Sequence, residues 1–195
     1  VVKSNKLVQA LQTLTLNEAR LLQLAIVDAR ETGQGLSTEE PLELNAVRYA
    51  KAFNVSADAA YLALSEAEDS LFKRQFTITN EDGTLTKSRW IQDANYRKGE
   101  GRILVTLTRV VIEHVTKIDG FEQYFTSYHL KKTADFKSVY AVRLYELLMQ
   151  WKAVGRTPAY ELDRLRGQLG IGVNEYTRLP ALKRRVLDIA LAQIN

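Results

Sequence analysis

The chain has no cysteine, three prolines, one methionine and two histidines among its 195 residues. Without cysteine there can be no disulfide scaffold, no cysteine-ligated zinc and no thiol catalysis, which fits a reducing cytoplasm. His114 and His129 are too few and too far apart in sequence for a metal cluster, so neither a metal nor a cofactor is expected. Long apolar runs are also missing. Nothing approaches the roughly 20 residues that span a bilayer, and the Val1 start carries no signal-peptide pattern, so no membrane partner is expected. No G-x-x-x-x-G-K-[ST] phosphate loop occurs, and the G-x-G runs from Gly33, Gly99 and Gly170 lack a third glycine and read as turns. There is no His-x-His to pair with a nucleophilic tyrosine for strand nicking. Glu39-Glu40 and Glu66/Glu68/Asp69 read as solvated helix surface. These absences argue against an enzyme.

What is present is an ordinary globular composition, 46% hydrophobic, long enough for one large domain or two small ones. The net charge of +4 is modest but unevenly placed. Residues 131–195 hold 12 Lys/Arg and 6 Asp/Glu, a balance of +6; subtraction from the totals of 27 and 23 leaves 15 and 17, or −2, for residues 1–130. A basic final third is the footprint expected of nucleic-acid binding, although a solvated basic face would count the same way.

Thr15 and Glu18 have capping-box spacing, and Leu21, Leu22, Ala25, Ile26 and Ala29 follow at helical intervals until Gly33 and Gly35. Leu42–Leu44 reads as a short strand. Helices over about Asn45–Phe53 and Ala57–Phe72, the second with Ala60, Tyr61, Leu64, Ala67, Leu71 and Phe72 on one face, are joined by only Asn54-Val55-Ser56, as in a helix-turn-helix. The period then switches to strands at Phe76–Thr79, Trp90–Ala94 and Ile103–Leu107, with turns at Asp82-Gly83 and Gly99–Gly101. Helix-turn-helix followed by hairpin is the layout of a winged helix. A helix over about Arg109–Ile118 closes this unit. The stretch to Leu130, with Phe121, Tyr124, Phe125 and Tyr128, reads as irregular. A long helix is expected over Ala134–Ala153, with Phe136, Tyr140, Leu144, Leu147, Leu148 and Trp151 as its core stripe and Gly155 and Pro158 ending it.

The first unit then recurs. Glu43-Leu44 corresponds to Glu161-Leu162, Val47 to Leu165, Phe53-x-Val55 to Leu169-x-Ile171, Tyr61-x-x-Leu64 to Tyr176-x-x-Leu179, and Leu71 to Val186. Small insertions are needed, so chance similarity of two amphipathic helix pairs competes with a true repeat. Projection of the last helix buries Leu179, Leu182, Val186, Ile189 and Ala190 and turns Thr177, Ala181 and Arg184 outward, with Arg178, Lys183 and Arg185 on the flanks. Leu191 falls on the exposed side. Arginine can pair bidentately with guanine, small residues can approach thymine methyls and flanking cations can neutralise phosphates. Arg164 and Arg166 on the preceding helix are placed to touch the backbone that helix crosses. In the first unit the equivalent face carries Asp58, Glu66 and Asp69, with Lys73 as the nearby cation. Lys87, Arg89, Arg97, Lys98 and Arg102 surround its hairpins. Sequence reading is therefore expected of the second unit, and phosphate contact and self-association of the first.

The string Asp135-Phe136-Lys137-Ser138-Val139-Tyr140-Ala141-Val142-Arg143-Leu144-Tyr145-Glu146-Leu147-Leu148 resembles the F-K-S-x-Y-x-x-R-L-Y-E-L-L block of the Rep initiators of iteron-controlled, theta-replicating plasmids, of the RepA, RepB, RepE and pi type. Ser4–Val8 with Leu14–Glu18 is similar to their opening. Phe125-Thr126-x-Tyr128-x-Leu130, Leu165-Arg166-x-x-Leu169-Gly170-Ile171 and Leu182-Lys183-x-x-Val186-Leu187 are similar to later blocks. The resemblance implies a mainly α fold with small β-hairpins (α+β) in two tandem winged-helix domains, residues 1–131 and 132–195, the second stopping before its own wing. It implies a bacterial, plasmid-encoded, cytoplasmic protein whose monomers bind repeated iterons of double-stranded origin DNA. Its dimers, joined through the first domain, would bind an operator and repress their own gene, with host initiator and replicative helicase as further partners. The helix bearing Thr177, Arg178, Lys183 and Arg184 would be the reader. The competing reading is a tandem winged-helix module that self-associates and represses transcription, with only residual DNA binding.

Overall fold

The capping box at Thr15 forms as its spacing predicts. In the computed structural model, which describes residues 1–116 and 124–195, the Thr15 hydroxyl accepts from Glu18 N and the Glu18 carboxylate accepts from Thr15 N at 2.8 Å. In chain order the elements are β1 (Val2–Ser4), α1 (Asn5–Val8), β2 (Leu11–Gln12) and then α2 (Leu16–Thr32), which Gly33 ends in the left-handed conformation at φ 76°. Leu21, Leu22, Leu24, Ala25, Ile26 and Ala29 of α2 are all buried, and so are Glu18, Arg20 and Gln23. A helix buried around its circumference is the centre of a fold and not its surface.

The first helix-turn-helix follows. β3 (Leu42–Asn45) leads into α3 (Ala46–Phe53), capped by Asn45, and α4 (Ala57–Lys73), capped by Ser56. On α4, Ala60, Leu64, Ala67 and Leu71 are buried as expected, but Tyr61 and Phe72 are exposed. Each of the two covers a neighbour instead. The Tyr61 ring lies where a side chain at Gly101 (φ 61°) would stand, and Phe72 lies under the guanidinium of Arg89.

Among the described residues the strands form three separate sheets. β6 (Ile91–Arg97) and β7 (Arg102–Leu107) make the hairpin that carries β3, in the order β3-β7-β6 with Leu42 opposite Val105. β4 (Gln75–Thr79) and β5 (Leu85–Arg89) form a second hairpin, closed by Asn80 N to Thr84 O at 2.8 Å, and lie against β2. β5 was not expected. Its Leu-Thr-Lys-Ser-Arg sequence has one apolar residue, itself exposed, so the backbone ladder to β4 defines it. α5 (Arg109–Val115) starts at the Thr108 cap. Its expected continuation to Ile118, and Phe121, lie outside the described residues. The aromatic stretch expected to be irregular holds β8 (Phe125–Ser127), antiparallel to β1 with Lys3 opposite Thr126.

The long helix is shorter than its pattern. α6 spans Val139–Met149, because Ser138 is extended (φ −127°, ψ 131°) and its hydroxyl caps Tyr140 N. Phe136 precedes the helix yet is buried, and Gly155 at φ 75° turns the chain after it. α7 (Leu162–Leu169) is capped by the Glu161 carboxylate, which accepts from Asp163 N and Arg164 N. The repeat is real but shifted. Asn45 and Glu161 cap helices of equal length that end at Phe53 and Leu169, each followed by a left-handed residue, Asn54 (φ 49°) and Gly170 (φ 82°). Glu161-Leu162 is therefore a cap and helix start, not the strand equivalent of Glu43-Leu44.

The last helix runs on as α8 (Leu179–Leu182), a π-helical turn (Lys183–Leu187) and α9 (Asp188–Ile194), with Asp188 N donating to Lys183 O. It does not begin before Leu179. Tyr176 and Thr177 lie in the preceding turn, so Tyr176 is not the counterpart of helical Tyr61.

The units are joined through Glu146 of α6. Its fully buried carboxylate accepts from the Lys3 ammonium (2.6 Å), the Tyr128 hydroxyl (2.6 Å) and the Arg143 guanidinium (2.7 Å). Arg143 also donates to Val8 O, Ala10 O and Gln168 O. Burial pushes the Glu146 carboxyl up, but the adjoining Lys3 and Arg143 cations more than offset it and hold the group at about 2. Val8, from the start of the chain, packs in the second core with Phe136, Val142, Leu147, Leu169, Leu182 and Val186.

Candidate nucleic-acid interface

The last helix is positioned by Leu182, Val186 and Ala190, all buried. Leu182, Val186 and Ala190 follow at steps of four along one face, with a π turn at Lys183–Leu187 between the first and the last. Ile189 is 47% exposed and Leu179, at the helix start, 58%, where both were expected inside; Leu191 is exposed as expected.

The cations sort into free and engaged groups. Arg184 and Arg185 are exposed on the π turn, and Arg178 is exposed at the N-cap with an extended backbone. None of the three has an ion-pair partner among the described residues. Thr177, Arg178, Ala181 and Arg185 line one shallow depression with Glu175 and Tyr176. Lys183 is exposed but bridged to Asp188 at 2.8 Å. Arg164 is exposed on α7, its guanidinium 3.5 Å from Gln9 Oε1.

Arg166 is placed differently. Its guanidinium donates to three backbone carbonyls, Tyr176 O (2.9 Å), Glu175 O (2.5 Å) and Gly172 O (3.3 Å), so its fork is spent on the turn between the helices. That turn holds Tyr176 at φ 46°, a region bulky residues rarely adopt, and the Tyr176 ring meets Tyr140 edge-on at 6.3 Å. Nothing in the sequence distinguished Arg166, which fixes the turn before the last helix, from Arg164, which faces solvent.

In the first unit the outward face of α4 is acidic as projected. Asp58, Glu66 and Asp69 are exposed, and Lys73 is paired with Asp69 at 2.6 Å. Arg89 donates to Phe72 O at 2.6 Å, and Arg102 is ion-paired with both Glu43 and Glu100. Lys87, Arg97 and Lys98 are exposed and have no ion-pair partner among the described residues. They do not form one wing, since Lys87 lies on β5 while Arg97 and Lys98 lie at the β6–β7 tip of the other sheet. Of the histidines, His114 Nδ1 lies 2.8 Å from the Ser4 hydroxyl and its ring is part-buried. Among the described residues no three His, Asp or Glu converge as a metal site, and no helix is long and apolar enough to cross a membrane.

Two helix-turn-helix units of matched geometry, the first flanked by hairpins, make this a tandem winged-helix protein. The chain belongs to the initiator replication protein family. The family model described as "Initiator Replication protein, WH1" matches residues 1–149, and "Initiator Rep protein, WH2" matches residues 161–195. An Escherichia coli protein described as an uncharacterized 27.6 kDa protein is 24% identical over 208 residues, covering all of this chain and 84% of that one. The crystal structure of the Pi initiator protein in complex with iteron DNA shares the fold, with a TM-score of 0.72 at 18% identity, over all of this chain and 84% of that one. The WH1 domain of MSBI1.176, a replication protein isolated from a multiple sclerosis patient, is 36% identical over 52% of this chain and 80% of its own, with a TM-score of 0.46.

Proposed function

We propose that the chain is a plasmid replication initiator that reads double-stranded origin DNA with its second unit and steadies itself on the phosphates with its first. The observation that carries this is the exposed ridge of Arg178, Arg184 and Arg185 around Thr177 and Ala181. Unpaired arginines cost nothing to free from a partner, can form two parallel hydrogen bonds to guanine and release counterions from phosphate. Arg164 and Lys183 contact the flanking backbone, Lys183 exchanging Asp188 for a phosphate, and Arg166 positions the turn. Lys87, Arg97 and Lys98 supply phosphate contacts from the hairpins; Lys73, Arg89 and Arg102, already engaged within the fold, add less. The family and the iteron complex of the Pi initiator support repeated origin sites as the target. On this reading residues 1–131 form the dimerising domain and residues 132–195 the reader. Monomers occupy the repeats, dimers occupy an operator and repress the gene, and the host initiator and helicase are recruited in the bacterial cytoplasm without catalysis by this chain. The test is titration of the repeats flanking the gene against a shuffled duplex between 50 and 200 mM salt. Sequence preference with a slope of about −3 to −5 in log K against log salt, as three to six phosphate contacts require, is expected. Equal affinities or a flat salt response would refute it.

A second reading is favoured by one observation, the acidic outward face of α4, which phosphates would repel. Here the first unit serves self-association alone. Sedimentation showing a stable dimer without duplex affinity supports that reading.

A further inference from the structure

A cavity of about 220 Å³ lies where the start of the chain meets the second unit, and the duplex-reading ridge does not use it. It is smaller than the roughly 300–1,000 Å³ typical of sites for drug-sized ligands and suits a single ring system. Trp151 and Tyr160 stand in its wall. The Tyr160 hydroxyl is held before any ligand arrives, donating to Leu147 O at 3.3 Å. Gln9 and Gln150 lie at its rim, joined by Gln9 Nε2 to Gln150 Oε1 at 2.8 Å. Gln168 lies at the floor. It is 2% exposed, and its Oε1 has no hydrogen-bond partner among the described residues. A buried amide oxygen left unpaired is costly, and the broad terminal torsion of glutamine lets this one turn toward the cavity. Arg164 stands in the lining with its guanidinium open to solvent, beside Glu161, whose carboxylate is engaged in capping Asp163 N and Arg164 N of α7.

We propose that this cavity binds a nucleotide. The base lies against Trp151, its edge exchanges hydrogen bonds with the Gln168 and Gln150 amides, and its phosphate meets Arg164. Aromatic walls call for a planar ring. A base edge carries donors and acceptors side by side, which glutamine amides complement, whereas the apolar ring of a phenylalanine would leave Gln168 unpaired. A cation beside the ring site calls for an attached anion. Both a free mononucleotide and an unpaired nucleotide within a strand carry this chemistry.

Trp151 is the probe, because the other tryptophan, Trp90, is buried in the first core. Emission of the full chain is titrated with AMP, GMP, CMP and TMP, with adenosine, with a short single-stranded oligonucleotide and with duplex. Saturable quenching by a nucleotide or by the single strand, at least tenfold weaker in Gln168→Leu and Gln150→Leu, is expected. Mononucleotides acting alone identify a free nucleotide as the source; the strand acting at much lower concentration identifies an unpaired strand. Arg164→Ala should narrow the preference for AMP over adenosine, and Trp151→Phe should remove the signal while binding persists by dialysis. Because Gln168→Leu touches no residue of the ridge, its duplex affinity should equal that of the parent. The proposal is overturned if no nucleotide or strand quenches up to about 10 mM, if quenching survives Gln168→Leu and Gln150→Leu unchanged, or if N-acetyltryptophanamide binds better than every nucleotide.

Discussion

Glu146→Gln is expected to destabilise the whole chain and not one unit of it. The carboxylate is fully buried, and its three partners, the Lys3 ammonium, the Arg143 guanidinium and the Tyr128 hydroxyl, are all placed to donate to it at 2.6–2.7 Å. An amide of the same shape removes the negative charge shared by two buried cations and turns an N–H₂ toward groups that are themselves donors. Removing one member of a buried ion pair costs about 3–5 kcal/mol. For a chain of this size each kcal/mol moves the midpoint by roughly 2–4 °C, so a fall of about 6–20 °C in Tm is expected. Urea unfolding followed by circular dichroism measures the free energy, and thermal melts check it. Lys3 belongs to β1 and Glu146 to α6, so the variant should also broaden or split a transition that is single in the parent. A cycle with Lys3→Met isolates the pair: the double variant should be at least about 1 kcal/mol more stable than the sum of the single losses allows. A loss below about 1 kcal/mol for Glu146→Gln, or strictly additive losses, would refute the claim that this network joins the units.

Other expectations follow from the same contacts. Because the Glu146 carboxyl is depressed from 4.5 to about 2 in the folded chain, its stabilisation is complete above about pH 4.5 and is lost as pH falls from there toward 2. Melts between pH 6 and 3 should show this slope in the parent and less of it in Glu146→Gln. Arg184→Ala should cost roughly 1–3 kcal/mol of discrimination between repeat and shuffled duplex if Arg184 reads a base; a loss equal for all sequences assigns it to phosphate. Arg166→Ala frees the turn at Tyr176, so affinity should fall while the salt slope stays as in the parent. Arg185→Ala should reduce that slope by about one. Thr15→Ala removes one half of the capping box and should cost about 1 kcal/mol by urea unfolding.

Local signals in the sequence located the helices and hairpins well and distant partnerships poorly. Thr15 with Glu18 and Gly33 act within a few residues of themselves as their spacing predicts, and the short link predicted at Asn54–Ser56 holds the left-handed stop of α3 and the cap of α4. β8 is a strand only because Val2–Ser4 pairs with it from more than 120 residues away, and β5 only because β4 lies beside it. The expectation of a helix starting at Ala134 has the same cause, since burial of Phe136 imitates a helical stripe although α6 starts only after Ser138. The candidate interface divides along this line too. Composition and projection marked a basic face, but which cations are available depends on partners in other elements. Arg102 is held by Glu43 from β3, Arg89 by Phe72 from α4 and Arg166 by carbonyls of the following turn. The regular projection marked Leu182, Val186 and Ala190 for the core, but the exposure of Ile189, which follows a π turn, left no mark in it.

The block that made the family recognisable, Arg143-Leu144-Tyr145-Glu146-Leu147-Leu148, carries none of the proposed DNA contacts. Its specificity as a signature has a physical source. Arg143 must serve Glu146 and three backbone carbonyls at once, and Glu146 must serve Lys3, Tyr128 and Arg143. Tyr145 meets the rings of Tyr128 and Phe136 edge-on at 5.4 and 5.8 Å. Few residue types satisfy so many buried partners, and an unsatisfied charge there is severely penalised. The proposed reading ridge has no such constraint, because Arg178, Arg184 and Arg185 face solvent and have no ion-pair partner among the described residues. Residues that join the two units are thus tied to the architecture, while the solvent-facing arginines proposed to meet DNA are free to change with its sequence. The same architecture can in this way serve initiators with different origin repeats.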